Sequence, residues 1–165
     1  MAKPPRPDYL ALLRTLAEHG IDFIVVGGVC AVLHGAPVAT FDLDLVHSRA
    51  PDNVDRLLAV LMSLDAHARG QGSRRIAPDR SHLASPGHLL LMTRFGPLDL
   101  LGTIGKNRGY AELLPDTAEL EISGDLKVRL LNLETLIDLK REAAREKDLA
   151  VLAILRRTLE EKRKA

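Results

Sequence analysis

A chain of 165 residues, 46% hydrophobic and 27% charged, has the composition of a folded globular protein and the length for one compact core rather than two. Its 23 basic and 22 acidic residues nearly cancel, so nothing in the balance demands nucleic acid, and aromatics at 3% with no Trp argue against recognition by base stacking. The single cysteine, Cys30, excludes an internal disulfide and a multi-cysteine zinc site.

Met1 to Pro7 carry basic residues and prolines, with no apolar stretch of signal length behind them. The longest apolar segment, around Ile21 to Leu33, is broken by Gly27 and Gly28 and cannot span a bilayer. The expected compartment is the cytoplasm, without a membrane partner. No internal repeat or linker divides the chain, so residues 1–165 are expected to form a single domain.

A first helix is predicted from Asp8 to Glu18, with Leu10, Leu13 and Leu16 as its stripe and Gly20 as its stop. Asp22 to Val26 reads as a buried strand ended by Gly27-Gly28, and Val29 to Leu33 as a short helix closed by His34-Gly35. Phe41 to Val46 alternates apolar and acidic residues, the period of a half-exposed strand. Pro51 suits the first turn of a helix carried by Val54, Leu57, Leu58 and Leu61. Arg69 to Pro86, rich in Gly, Ser, Arg and Pro, is expected to be a mobile excursion with at most one short strand.

Strands are predicted at His88 to Thr93 and Leu98 to Leu101, joined at Gly96-Pro97. A hairpin pairs Glu119 to Ile122 with Leu126 to Leu130 around Ser123-Gly124-Asp125. Asn132 is an N-cap for a helical C-terminal section, about 132–163, ending in a polar tail. The fold class is therefore α+β: a mixed β-sheet with packed helices and a helical C-terminal section.

The chemistry lies in Gly27-Gly28 followed by Thr40-Phe41-Asp42-Leu43-Asp44. Strand geometry puts Asp42 and Asp44 on one face and Phe41, Leu43 and Leu45 on the other. Two carboxylates ~4 Å apart at an effective dielectric of ~20 repel by about 4 kcal/mol. A divalent cation removes that conflict, because hard carboxylate oxygens suit magnesium or manganese. A turn without side chains lets phosphate approach backbone amides and a helix N-terminus. Asp99, inside the apolar strand Leu98 to Leu101, would bring a third carboxylate to the same place if that strand lies beside Phe41 to Val46. Three carboxylates can hold two metal ions ~3.5–4 Å apart, as in-line phosphoryl displacement requires.

Gly27-Gly28, His34-Gly35, Thr40, Asp42-x-Asp44 and the later strand residue Asp99 resemble the DNA polymerase β-like nucleotidyltransferase superfamily. Leu133 to Leu155, with Lys140, Arg145 and Lys147-Asp148, resembles the helical end of its small bacterial members, among them abortive-infection toxin nucleotidyltransferases. The resemblance covers roughly residues 8 to 160, and its specificity lies in the combination. It implies a nucleotidyltransferase-like fold and the transfer of a nucleoside monophosphate from an NTP to an acceptor hydroxyl on RNA, protein or a small compound, releasing pyrophosphate. It implies two Mg2+ ions, or Mn2+, held by Asp42, Asp44 and Asp99, with Asp99 on the ion that activates the acceptor. Gly27, Gly28 and Thr40 would line the nucleotide, Lys140, Arg145 and Lys147 would be candidates for phosphate contacts, and an antitoxin or other protein is an implied partner. One departure stands out: many relatives carry Arg after the Pro that precedes Thr-x-Asp, where this chain has Pro37-Val38.

Other readings accompany these. A lone Asp-x-Asp is commonly a solvated loop or structural ion pair, and the glycines, strand context and Asp99 together outweigh that reading. The six histidines lack zinc spacing, and Cys30 is expected to be buried and chemically quiet. Lys140, Arg145, Lys147 and Asp148 also suit a salt-bridged helix face. The rival to the enzyme is a non-catalytic nucleotidyltransferase-fold module that binds nucleotide or a partner protein.

Overall fold

The computed structural model describes residues 6–143 and 146–165, the side chains of 146–148 excepted. Helix α1 (Tyr9–Glu18) begins where the Asp8 carboxylate accepts a hydrogen bond from the Ala11 amide at 3.0 Å. Its buried stripe is Leu12, Leu13 and Leu16, while Leu10, expected in that stripe, is exposed. Strand β1 (Phe23–Val26) is buried throughout. It runs straight into α2 (Gly27–Leu33), so the two glycines form the first turn of the helix rather than a loop before it.

Next come β2 (Leu43–His47) and α3 (Pro51–Ser63), the latter with proline in its first turn as expected. Strand β2 starts two residues later than predicted, which leaves Phe41 and Asp42 in the bend that feeds it. Strand β3 (His67–Ala68) precedes the 69–86 segment, which holds no strand but a short helix, α4 (Arg80–Ala84). Five residues are too few to show a helical period, but their cap is legible: Asp79 Oδ1 accepts from the His82 amide at 2.8 Å.

Strands β4 (His88–Thr93) and β5 (Gly96–Leu101) form the expected hairpin, but its turn is Arg94-Phe95, and Gly96-Pro97, expected as the joint, open β5 as paired residues. Helix α5 (Tyr110–Leu113), which runs into a 3-10 turn over Leu114–Asp116, was not predicted. Strands β6 (Thr117–Ser123) and β7 (Leu126–Leu131) form the second hairpin. Asn132 caps α6 (Leu133–Ala143) by accepting from the Thr135 amide at 2.9 Å, and α7 (Glu146–Lys164) packs on α6.

The strands make one mixed sheet in the order β3-β4-β5-β2-β1-β7-β6. Strand β2 lies antiparallel to β1 and parallel to β5, and β1 is parallel to β7. Fully buried Ile24, Val25, Leu43, Val46, Leu98 and Leu100 fill its centre, with Val25, Leu43, Leu98 and Leu100 on the face opposite Asp44 and Asp99 and with Ile24 and Val46 on the same face as those carboxylates. This is the α+β architecture implied by the sequence. Among the described residues, no helix is long and apolar enough to cross a membrane.

Candidate active site

The site begins at the junction of β1 and α2. Gly27 has φ +67°, and a Cβ there would lie 2.2 Å from Asp44 Oδ2. Only glycine adopts that conformation cheaply and leaves room for the carboxylate. A Cβ on Gly28 would meet Thr40 Oγ1 at 2.6 Å. Thr40 in turn donates its hydroxyl hydrogen to the Asp42 carbonyl at 3.1 Å, which pins the bend carrying Asp42. The glycine pair and Thr40 are thus packed on the acidic segment itself.

The register of the central strands brings the carboxylates together. Val26 faces Asp44 across β1 and β2, and Asp44 faces Asp99 across β2 and β5. One oxygen from each of Asp42, Asp44 and Asp99 lies within 4.8 Å of the others. The adjacency of the two acidic strands, only a supposition from sequence, is therefore present.

Crowding of like charges out of water has the expected electrostatic result. Burial, then the neighbouring charge of Asp42, then Asp99 push the Asp44 carboxyl up to about 8. Burial and Asp99 also raise Asp42, while the nearby Arg69 pulls it the other way. Tyr9, at the start of α1, is raised first by burial of its phenol and then by the charges of Asp42 and Asp44. Its hydroxyl is buried with no hydrogen-bond partner among the described residues.

Arg69 is the residue that sequence reasoning missed. Its Nη2 lies 2.6 Å from Asp99 Oδ1 and 3.8 Å from Asp42 Oδ2, and its Nη1 donates to the Leu91 carbonyl at 2.7 Å. The approach to Asp99 is a charge contact without hydrogen-bond geometry, so that buried Oδ1 accepts no hydrogen bond from the described residues. A buried carboxylate oxygen with free lone pairs, beside two more carboxylates, is a donor set that fits a hard divalent ion.

A cavity of about 610 Å3 opens beside Asp44 and Gly27. One wall is apolar, from Leu101 and Ile104 on one side and Leu136 and Leu139 of α6 on the other. Lys140 and Lys106 bring positive charge to it. Lys140, singled out from the sequence, lowers the Asp44 carboxyl against the dominant upward push. Lys106 was not singled out, because the irregular 102–109 segment has no period to read. Gly105, at φ +58°, lets that segment close on α6, since a Cβ there would lie 2.6 Å from Leu139 Cδ2. An Arg108–Glu142 ion pair at 3.2 Å fastens the same contact.

Arg145 and the side chain of Lys147 lie outside the described residues. His34 does not line the cavity. Its Nε2 donates to the Leu131 carbonyl at 2.8 Å and its Nδ1 accepts from Lys162 Nζ at 2.8 Å, tying α2 to β7 and α7. Cys30 is buried, and burial pushes its thiol up to about 12, which keeps it quiet.

The acidic cluster gives this α+β fold a potential metal site. A crystal structure of a Thermotoga maritima protein, described provisionally as a nucleotidyltransferase, superposes with a TM-score of 0.58 over 96% of each chain at 16% identity. That identity carries the likeness of fold alone. No protein-family model matches the sequence, and no curated protein does.

Proposed function

We propose that this chain is a divalent-metal-dependent nucleotidyltransferase that moves a nucleoside monophosphate from an NTP to an acceptor hydroxyl, releasing pyrophosphate. The observation that carries the reading is the convergence of Asp42, Asp44 and Asp99 within 4.8 Å beside a glycine turn and at the edge of a cavity. Asp42 and Asp44 would hold both of two Mg2+ or Mn2+ ions, and Asp99 the one nearer the acceptor. When bound, such ions neutralise triphosphate charge and make the acceptor hydroxyl more acidic.

The chain's own residues supply the rest. Gly27 and Gly28 present a side-chain-free turn and backbone amides to the triphosphate. Thr40 fixes the Asp42 bend. Lys140 meets a phosphate oxygen, with Arg145 and Lys147 as further candidates. Asp99 would also receive the acceptor's proton. RNA, a protein side chain or a small hydroxyl compound would serve as acceptor. We also propose a single cytoplasmic domain of the toxin type, with an antitoxin or other protein as partner.

The departure at Val38 favours a second reading, a non-catalytic module that binds nucleotide or a partner protein. Incubation with each labelled NTP and Mg2+ separates the two. Release of pyrophosphate with label on an acceptor supports the enzyme, and binding without turnover of any NTP supports the module.

A further inference from the structure

Arg69 stands in an unusual position for a cation beside a metal site. The sheet register explains how it gets there. The Arg69 amide donates to the Leu90 carbonyl at 3.0 Å, extending the β3–β4 ladder by one residue. Leu90 faces Asp99, and Asp99 faces Asp44. Arg69, Leu90, Asp99 and Asp44 therefore form one transverse row across four neighbouring strands, and residues in such a row project to the same face. The row delivers a guanidinium to the carboxylates from the edge of the sheet.

We infer that Arg69 is a resident counter-ion of the carboxylate site, which neutralises Asp99 and Asp42 before metal arrives and must release Asp99 for the site to fill. This rests on the metal-dependent reading above. An ion on Asp99 Oδ1 would sit ~2.0–2.1 Å from an oxygen that Arg69 Nη2 already approaches to 2.6 Å. Two cations at such spacing repel, so occupancy of one disfavours the other.

The grip of Arg69 on Asp99 is suited to release. It is a charge contact without a directed hydrogen bond, whereas the bond from Nη1 to Leu91 O is directed and belongs to the β4 backbone. Rotation about that anchor frees the carboxylate while the guanidinium stays on the sheet. About a quarter of the Arg69 side chain is exposed, so water can receive the freed nitrogen. Metal affinity is then lowered by the fraction of molecules in which Arg69 still holds Asp99.

The test is Mn2+ binding, followed by electron paramagnetic resonance and by calorimetry without nucleotide, in wild type, Arg69→Met and Arg69→Lys. Arg69→Met should bind Mn2+ at least ~10-fold tighter than wild type, melt at a lower temperature without metal, and gain more from metal than wild type does. Arg69→Lys, a point charge unable to hold Leu91 O and Asp99 together, should fall between them. If Arg69→Met does not fold, a tighter affinity in Arg69→Lys carries the same conclusion, and unchanged affinity in it overturns it. Equal or weaker binding by Arg69→Met overturns the counter-ion role while leaving the metal site standing. Failure of wild type and variants alike to bind Mn2+ overturns both.

Discussion

Gly27 and Asp44 work as one device, since the absence of a side chain at the first is what admits the carboxylate of the second. Gly27→Ala places a Cβ 2.2 Å from Asp44 Oδ2 at φ +67°, so the carboxylate must move. We expect loss of nucleotidyl transfer and destabilisation of about 1–3 kcal/mol, read by the labelled-NTP assay and by thermal melts. Gly124→Ala is the control: at φ +58° it bears similar backbone strain, yet nothing lies within 4 Å of its Cβ. It should lower stability without touching transfer, and equal loss of transfer in both variants would detach Gly27 from the site. Asp44→Asn separates charge repulsion from structural pairing. It should raise stability in EDTA by about 1–3 kcal/mol and shrink the gain from Mg2+, which for wild type is ~2.7 kcal/mol at a hundredfold excess over its dissociation constant. A structural ion pair would instead lose stability at every magnesium concentration.

Helix α6 lines the cavity that Asp44 also lines, through Leu136, Leu139 and Lys140. Lys140→Ala should weaken NTP binding by about 1–3 kcal/mol, the scale of a lost charge-assisted contact. Arg141→Ala, which removes an exposed ion pair with Asp138 on the same helix, should leave it unchanged. Equilibrium binding of a labelled NTP compares them, and equal affinities would return Lys140 to a structural role. The same helix illustrates what sequence can reveal. Its cap Asn132 and its apolar stripe are local, and so were legible. Asp42, Asp44 and the glycines are close in sequence and advertise themselves, because acidic residues in a strand and paired glycines are costly without a use. Asp99 was legible only as an oddity within an apolar strand. Arg69 was not legible at all, since its position depends on the register of four strands, and an arginine at the head of a Gly- and Arg-rich segment looks like a solvated one. The neighbouring arginines differ from it: Arg75 pairs with Asp65 at 3.2 Å and Arg80 with Asp55 at 2.8 Å, both on the surface. The short α4 and α5 escaped for another reason, being too brief to show a period.

Across the whole molecule, titratable groups of opposite sense make apo stability depend on pH in two windows. Two histidines are held below their ordinary value, each chiefly by burial. His47, in β2, donates from Nε2 to the Leu83 carbonyl at 2.8 Å, while its buried Nδ1 has no partner among the described residues and Arg49 adds repulsion. His34 accepts from Lys162, so a proton on its Nδ1 would set two cations against each other, eased by the Leu131 carbonyl and, to a lesser degree, by Glu134. For groups whose folded pKa is depressed, stability is present above the unfolded value of ~6.5 and is lost as pH falls through the folded one. Asp44 runs the other way. Its folded pKa of about 8 lies above the unfolded value, so its contribution is full at low pH and is lost as pH rises from ~4 through about 8. Each group changes stability by ~1.4 kcal/mol per pH unit inside its window. Below ~6.5 the loss from the histidines opposes the gain from Asp44 and forms an acid limb, and between ~6.5 and about 8 the carboxylates form an alkaline limb on which apo stability should fall as pH rises. Magnesium replaces the proton on the carboxylates and should lift the limb between pH ~6.5 and ~8 while leaving the acid limb in place. Thermal melts from pH 5 to 9, with EDTA and with Mg2+, measure both limbs. His47→Gln, which keeps a donor for Leu83, should flatten the acid limb alone, and Asp44→Asn the alkaline limb alone. An alkaline limb that survives in Asp44→Asn and ignores magnesium would place its origin outside the carboxylate cluster.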